Sequence, residues 1–423
     1  MPRIIRNTLL NYISEDFLVE KMVNSARIFE VNNEPIKSGV ILYLCEREIR
    51  AKDNFAFQFA IQEAKKLNWG LKIIHPQISY DYKPKQKFID SQIEQAKRVF
   101  DNINISFEVF NKTPLEIIKK VNPAILIIDF NPILDRNYLQ NLKCKIYEID
   151  SHNIIPVRYV SNKQEYGAST LRPKIYRNIF SFLTEFDNLT NEKTESDLVL
   201  EDFINNKLEY YAEYKNYPSK NFSSGLSKYL NLGFISSQRI VLEVLKSVVD
   251  DINKEIFLEE LIVRKELADN FCLYAKNVRD FSNVPNWAKN SLNNHKNDIR
   301  TYIYSVEELK NAKTHDQLWN ATQNQLKNEG TIQGYLRMYW AKKILEWTPT
   351  FDEALKNAIY LNDEYAYDSP SANGYVGILW AIGGLHDRAF TDYPVTGKIR
   401  RMTFDSINRK YDLLGYINKQ NIN

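Results

Sequence analysis

A layered α/β domain built on a parallel sheet, followed by a mostly helical second domain, is the architecture the sequence predicts, on three observations. Over residues 1–186, short β-rich apolar runs alternate with polar connections and amphipathic stretches. One run, Ala-Ile-Leu-Ile-Ile at 124–128, is apolar at every position, as a strand covered by helices on both faces requires. Past a polar, acidic stretch the strand signals fade and apolar residues recur at helical spacing.

Taken in order, strands are expected over 40–44, 71–74, 105–110, 124–128 and 145–149, with helices over 54–67, 90–100 and 114–120 between them. No Gly-x-Gly-x-x-Gly fingerprint follows the first strand, so a phosphate-cradling loop there has no support. Residues 186–197 carry Asp-Asn-Leu-Thr-Asn-Glu-Lys-Thr-Glu-Ser without periodic apolar positions and read as a linker. The expected domains are therefore 1–186 and 198–423, joined by 187–197. Helices of the second are expected over 198–214, 257–274, 334–347 and 351–365.

At about 150 residues per domain, 423 residues leave room for two or three cores. With 44% hydrophobic and 26% charged residues, the chain can offset its ordering entropy, which excludes wholesale disorder. Lysine and arginine (56) exceed aspartate and glutamate (53) by only three, so a nucleic-acid partner has to meet a local basic patch. Cys45, Cys144 and Cys272 are odd in number, widely spaced and apart from any histidine cluster, the pattern of reduced core thiols in a cytosolic compartment. Residues 1–12 lack the apolar core and cleavage site of a secretory signal. The longest uncharged apolar stretch, 374–385, falls short of the ~20 residues of a bilayer span. A cytoplasmic protein without membrane contact is expected.

No His-Glu-x-x-His, Walker loop, Gly-x-Ser-x-Gly elbow or cysteine–histidine grid occurs, so no metal site is expected and the common hydrolytic chemistries have no motif. The informative residues are aromatic. Trp340 and Trp347, seven apart in one helical pattern, share a face two turns and about 10 Å apart. Trp319 sits on the preceding helical segment, and Tyr335 and Tyr339 add oxidisable rings. Aromatic residues at this spacing are most often core packing, and spacing alone leaves packing and electron transfer both open.

Read with its neighbours, Gly-Tyr-Leu-Arg-Met-Tyr-Trp-Ala-Lys-Lys-Ile-Leu-Glu-Trp at 334–347 resembles a signature of class II cyclobutane pyrimidine dimer (CPD) DNA photolyases, of the photolyase/cryptochrome superfamily. Asp-Ser-His-Asn-Ile-Ile-Pro at 150–156, Lys-Gln-Glu-Tyr-Gly at 163–167, Glu-Glu-Leu-Ile-Val-Arg-Lys-Glu-Leu-Ala-Asp-Asn-Phe at 259–271, Lys-Thr-His-Asp-Gln-Leu-Trp-Asn at 313–320 and Gly-Lys-Ile-Arg at 397–400 look like the same family, in its order. The resemblance spans about residues 38–415. It implies a Rossmann-like N-terminal domain able to hold an antenna chromophore of deazaflavin or folate type, followed by a larger all-α FAD-binding domain. The implied function is light-dependent DNA repair: an electron from reduced FAD enters a dimer flipped out of double-stranded DNA, which splits into two pyrimidines. The implied protein is a monomer without an obligate protein partner, nucleoid-associated if prokaryotic.

By position in those motifs, the resemblance assigns FAD contacts to Tyr211 and to Ser223, Ser224, Gly225, Leu226 and Ser227, residues that otherwise read as an ordinary turn. Arg337 and Asp368 match the pair beside the isoalloxazine, and Asn362 the amide facing flavin N5. Trp340, Trp319 and Trp347 match the tryptophan chain that brings electrons from the surface, Trp340 nearest the flavin, with Tyr335, Tyr339 and Tyr304 in support. Glu260 matches the carboxyl group that bonds the dimer, and Trp380, otherwise a core residue, packs on it. Arg388 belongs to the substrate-side His-Asp-Arg motif; Lys398, Arg400 and Arg401, with Arg409 and Lys410, offer phosphate contacts.

The sequence also departs from the family. Residues 368–374 read Asp-Ser-Pro-Ser-Ala-Asn-Gly where Asp-Gly-Arg-Asp-Pro-Asn-Gly is usual; Phe390 replaces a tryptophan, Arg264 stands at the place of a second dimer-packing tryptophan, and Lys215 stands for a frequent arginine. Two other functions stay open on this basis: a cryptochrome-like flavin photoreceptor, and a (6-4) photoproduct photolyase with His386 as its proton donor, His152 and His315 being structural.

Overall fold

The computed structural model describes residues 22–421; the stretch 1–12 read above for a signal lies outside them. Six strands, β1 (Ile28–Glu30), β2 (Ile41–Leu44), β3 (Leu71–Pro76), β4 (Phe107–Phe110), β5 (Ile125–Asp129) and β6 (Lys145–Ile149), form one sheet in the order β1-β6-β5-β2-β3-β4. The five expected strands pair in parallel, with Ile41 beside both Leu71 and Ile125. Every residue of β2 and β5 is buried, as their unbroken apolar runs require. The antiparallel edge strand β1 escaped sequence reading because its three residues, Ile-Phe-Glu, are too few to show alternation.

Local signals fix the flanking helices. The Asn54 side chain accepts the Ala56 and Phe57 N–H groups at the start of Phe55–Leu67, and a Thr113–Glu116 capping box with Pro114 at N1 opens Pro114–Val121. The helix expected over 90–100 runs instead over Lys83–Asn102, its first turns too polar to show an apolar stripe. The end of the acidic stretch is a helix start, not a connection. Thr194 caps Glu195–Asp202, whose first turn carries Glu195 and Asp197, and Lys52 Nζ bonds the Asp197 carboxylate at 2.7 Å.

The strand order reverses between β2 and β5, where open parallel sheets leave a ligand crevice at their carboxyl ends. Here protein fills it. Asp129 takes the Tyr43 hydroxyl on Oδ1 at 2.7 Å and the N–H groups of Glu46, Arg47 and Glu48 on Oδ2 at 2.9, 2.8 and 3.0 Å. The chain thus turned points Arg47 at Asp269 (3.3 Å) and brings Glu48 Oε1 to within 2.8 Å of His152 Nδ1. Lys265 Nζ donates to the His152 carbonyl (2.8 Å) and Asn153 Oδ1 (2.9 Å), and Glu266 Oε1 accepts the Ile154 N–H (2.6 Å). Burial, helped by Arg47 and Lys265, holds the His152 imidazole down to about 4, so it is neutral. One apolar core runs from the sheet through the helices up to Leu267; a second runs from Ala268 to Ile417.

Two single-turn distortions interrupt the helical part. Residues Phe203–Lys207 and Glu259–Arg264 are wound as π-helix inside the helical runs expected over 198–214 and 257–274, the second of which continues as α-, π- and α-helix from Asp251 to Tyr274. The expected helices 334–347 and 351–365 are Gly334–Trp347 and Phe351–Tyr365. Cys45, Cys144 and Cys272 are free and buried. Among the described residues no helix is long and apolar enough to cross a membrane, and no His/Cys/Asp/Glu group could hold a metal ion.

Gly233 tests the filled crevice. It has φ +63°, and a Cβ there would stand 2.5 Å from Glu48 Cα and 2.6 Å from the Arg47 carbonyl oxygen. Gly233→Ala is expected to lose about 2–4 kcal/mol in urea denaturation. Gly70→Ala, whose nearest neighbour is Val40 Cγ2 at 3.8 Å, is expected to stay within about 0.5 kcal/mol of the parent.

Candidate active site

With the sheet's crevice closed, the large concavity lies in the helical part: a cavity of about 1580 Å³, above the ~300–1,000 Å³ of drug-sized ligand pockets. One wall is the helix Gly334–Trp347, through Gly334, Arg337, Met338 and Ala341. A second is the helix Ala372–Gly383, through Asn373, Gly377 and Trp380. The π-turn Glu259–Arg264 supplies Glu259, Glu260 and Arg264, and the loop before the short helix Ser227–Asn231 supplies Ser223, Ser224, Gly225 and Ser227. A π-turn re-aims side chains that a regular helix would spread apart.

The wall residues Arg337, Glu260 and Glu259 are each ion-paired. Arg337 Nη2 lies 3.1 and 3.2 Å from the two carboxylate oxygens of Asp368. Glu260 is ion-paired with Lys215 through Oε1 and accepts the Tyr211 hydroxyl on Oε2 at 2.8 Å. Burial and the Glu260 charge push the Tyr211 phenol well above its ordinary range, so it is a permanent donor. Arg172 grips Glu259 with two bonds, Nε to Oε2 at 2.9 Å and Nη2 to Oε1 at 2.6 Å. Trp380 is half-buried and presents an apolar floor.

Four observations mark the cavity as built for an extended ligand. A Cβ added at Gly334 or at Gly377 would meet nothing within 4 Å. Two buried polar atoms on the wall, Gln333 Oε1 and His386 Nε2, have no hydrogen-bond partner among the described residues. Burial, then Arg264, holds His386 down to about 4, a neutral ring.

Tyr211, Ser223, Ser224, Gly225, Ser227, Arg337, Glu260, Arg264 and Trp380 thus share one wall system, as their sequence roles require. Leu226 is buried beneath the serine loop and Asp368 stands behind Arg337. Asn362 is buried one layer back: its Nδ2 bonds Asp363 Oδ1 at 3.2 Å and lies 3.1 Å from where a Gly374 Cβ would stand. The loop that departs from the family pattern is tied down, Ser369 Oγ donating to the Asn362 or Ala366 carbonyl and Ser371 capping the next helix. Arg388, Lys398, Arg400 and Arg401 are exposed on the segment that follows His386. Phe390 lies under both Arg388 (5.3 Å) and Arg400 (5.6 Å), so the phenylalanine still gives the arginines an aromatic face.

The three tryptophans lie behind the wall, Trp340 directly beside the wall residue Ala341. Trp340 and Trp319 are stacked, 6.3 Å and 3° apart; Trp319 meets Trp347 edge-on at 5.7 Å, and Trp347 meets Tyr304 at 5.5 Å. Trp319 and Trp340 are fully buried, and indole N–H groups are satisfied by the Trp340 carbonyl (3.0 Å) and Gln323 Oε1 (2.8 Å). Tyr339 bonds Asp316, and Tyr335 packs on Tyr411. Sequence reasoning missed Arg172, Tyr176 and Gln333 on the wall: only the fold brings Arg172 and Tyr176 to Glu259, and Gln333 stands one residue before the 334–347 motif.

No family model matches the chain. A deoxyribodipyrimidine photo-lyase of Potorous tridactylus is 35% identical over 439 residues, covering 90% of this chain and 81% of that protein. One of Oryza sativa subsp. japonica is 36% identical over 370 residues, covering 74% and 73%. A crystal structure of a class III photolyase from Agrobacterium tumefaciens superposes with TM-score 0.66 at 13% identity over 92% of this chain and 87% of that one, a likeness of fold. Identity at that level over that much of both chains places the protein in the deoxyribodipyrimidine photo-lyase family.

Proposed function

We propose that the chain is a class II light-dependent DNA repair enzyme that holds FAD in this cavity and splits cyclobutane pyrimidine dimers in double-stranded DNA. One observation carries the reading: Tyr211, the serine loop and Arg337 on the flavin side and Glu260 and Trp380 on the dimer side line a single cavity, with tryptophans in ring contact behind its wall leading to the half-buried Tyr304. In this reading residues 198–423 form the FAD unit and 1–186 the unit for a deazaflavin- or folate-type antenna, in a cytoplasmic monomer.

FAD, when bound, supplies the photoexcitable electron carrier. The hydroxyls of Ser223, Ser224 and Ser227 and the open backbone at Gly225 suit a pyrophosphate, and the bare faces of Gly334 and Gly377 leave room for a ring system. Arg337, fixed by Asp368, places a cation where a reduced ring carries negative charge. Glycine at 374 leaves the space that the Asn362 amide occupies. Glu260, held by Lys215 and Tyr211, offers its carboxyl group to the carbonyl edge of the extruded dimer, and Trp380 receives bases that have left the stack. Arg264, Arg388, Lys398, Arg400 and Arg401 meet phosphates around the opening. Trp340, Trp319 and Trp347 relay electrons inward from the surface. An electron entering the dimer breaks its two joining carbon–carbon bonds and then returns, with no net redox change.

Purified protein is expected to absorb as a flavoprotein and, once photoreduced, to restore intact thymines in dimer-bearing DNA under blue light. Absence of recovery from a flavin-loaded sample overturns the repair reading; light-dependent capture of a partner without recovery would turn it to a photoreceptor, and recovery on (6-4) lesions alone would change its substrate. Gly377→Leu is expected to cut FAD occupancy at least tenfold while leaving urea stability of the FAD-free chain unchanged or raised by about 0.5–1 kcal/mol, since leucine favours the helix.

A further inference from the structure

The aromatic path does not stop at Trp347. Tyr304 packs on Trp347 at 5.5 Å, and its hydroxyl lies 2.7 Å from Nδ1 of His315. The same hydroxyl accepts the backbone N–H of His315 at 2.9 Å, and with the ring proton on Nε2 the phenol donates to Nδ1. The imidazole is itself stacked on Tyr302, 3.7 Å and 18° apart, and Tyr302 is 44% exposed. Tyr339, the neighbouring phenol on Asp316, is fully buried and cannot meet a reductant from solution.

We propose that His315 is the base that takes the phenol proton when Tyr304, which the resemblance already places in support of the tryptophan chain, passes an electron to Trp347. The proposal rests on the photolyase reading for the source of the oxidised tryptophan. In the step, oxidised Trp347 takes one electron from Tyr304, the O–H bond breaks and the proton forms an N–H bond at His315 Nδ1. Trp347 is restored, and a neutral tyrosyl radical stands beside an imidazolium. A thiolate in solution then gives one electron to the radical and leaves as a thiyl, His315 returns the proton, and the thiyls of two such turns join as a disulfide.

A phenol that loses an electron becomes a strong acid, so a base at hydrogen-bond distance decides whether the hole stays on tyrosine or falls back to tryptophan. His315 is the group at that distance, and it is free to accept: burial, then Lys343, lowers its pKa from the ordinary value, against the charges of Asp316 and Glu346. The titratable groups facing it are Tyr302, Tyr304, Asp316, Lys343 and Glu346, of which Lys343 and Glu346 are paired with each other at 2.6 Å. Proton acceptance therefore needs pH above the histidine's lowered pKa and is lost only as pH falls through it, below the ordinary histidine range.

The test is flash excitation of the full-length flavin-loaded chain, with radicals read by electron paramagnetic resonance. The parent is expected to give a tyrosyl signal, absent in Tyr304→Phe. His315→Phe keeps a ring on Tyr302 and is expected to lower that signal at least fivefold, leaving a tryptophanyl signal; added imidazole is expected to restore it in His315→Ala. Equal tyrosyl yield in the parent and His315→Phe, or a parent yield unchanged across the pH range in which nitrogen NMR shows His315 taking up a proton, overturns the proposal. A second measurement does not depend on pigment: nitrogen NMR of the FAD-free chain is expected to show His315 Nδ1 unprotonated at neutral pH, and a protonated Nδ1 overturns the proposal. Absence of any flash-induced radical in the parent, with Nδ1 unprotonated, instead counts against the photolyase reading.

Discussion

A single buried carboxylate organises the molecule. Asp129 takes four hydrogen bonds at the end of β5, three of them from consecutive backbone N–H groups of the loop after β2. Burial and the nearby Glu48 push it up to about 6, so its charge is held at a cost that those donors offset. The loop it folds carries Arg47, Glu48 and Arg50 into the crevice where an open parallel sheet would otherwise receive a ligand. The ion-paired, hydrogen-bonded plug they form with His152, Lys265 and Asp269 has little intrinsic stabilising power, because desolvation roughly offsets attraction. What it does is fix geometry: removing any one member strands its partner. Lys265 and Glu266 in that plug directly follow the π-turn bearing Glu260, so the N-terminal sheet sets the position of that cavity wall.

Much of this was legible in the sequence, and what was not had a physical reason. The unbroken apolar run at 124–128 announced β5 because burial on both faces leaves no other composition, and the helix expected over 114–120 is the one the structure opens with a Thr113–Glu116 capping box. The three-residue β1 had no period to read. The π-turns at 203–207 and 259–264 had no signature either, since an inserted residue changes hydrogen bonding without changing composition. The site was legible only through family motifs: nothing in Ser-Ser-Gly-Leu-Ser separates a turn from a ligand loop, whereas the structure puts four of those five residues on a cavity wall. Arg172 and Tyr176 were invisible because their partner Glu259 lies far along the chain.

The tryptophans show why packing and electron transfer need not compete as explanations. Trp319 lies between Trp340 and Trp347, whose two-turn separation on one helix leaves a slot for its ring. That slot is a core, with indole N–H groups satisfied internally. Close packing in turn holds three oxidisable rings at nearly fixed separation and excludes water from between them. The spacing that first suggested an ordinary core is the same spacing that makes a chain of redox stations, and the surface end is where the two readings part. A core has no use for a phenol hydrogen-bonded to an imidazole at its rim.

The departures from family pattern fall where the structure tolerates them. Losing an arginine and an aspartate between Asp368 and Asn373 removes two charges, yet Asp368 still faces Arg337 and the intervening serines find carbonyl and amide partners of their own. Phe390 lacks the indole N–H of tryptophan but keeps the ring face that two arginines use. Arg264 exchanges an aromatic surface for a cation at the cavity mouth. In a chain whose total charge is only +3, a cation placed there has more effect on a polyanion than its share of the sum, because a lined opening focuses the local field. In the repair reading proposed above, phosphate attraction at Arg264 would replace lost stacking area on one side of the dimer, and damaged-DNA binding is then expected to depend more on ionic strength than in a relative with two tryptophans.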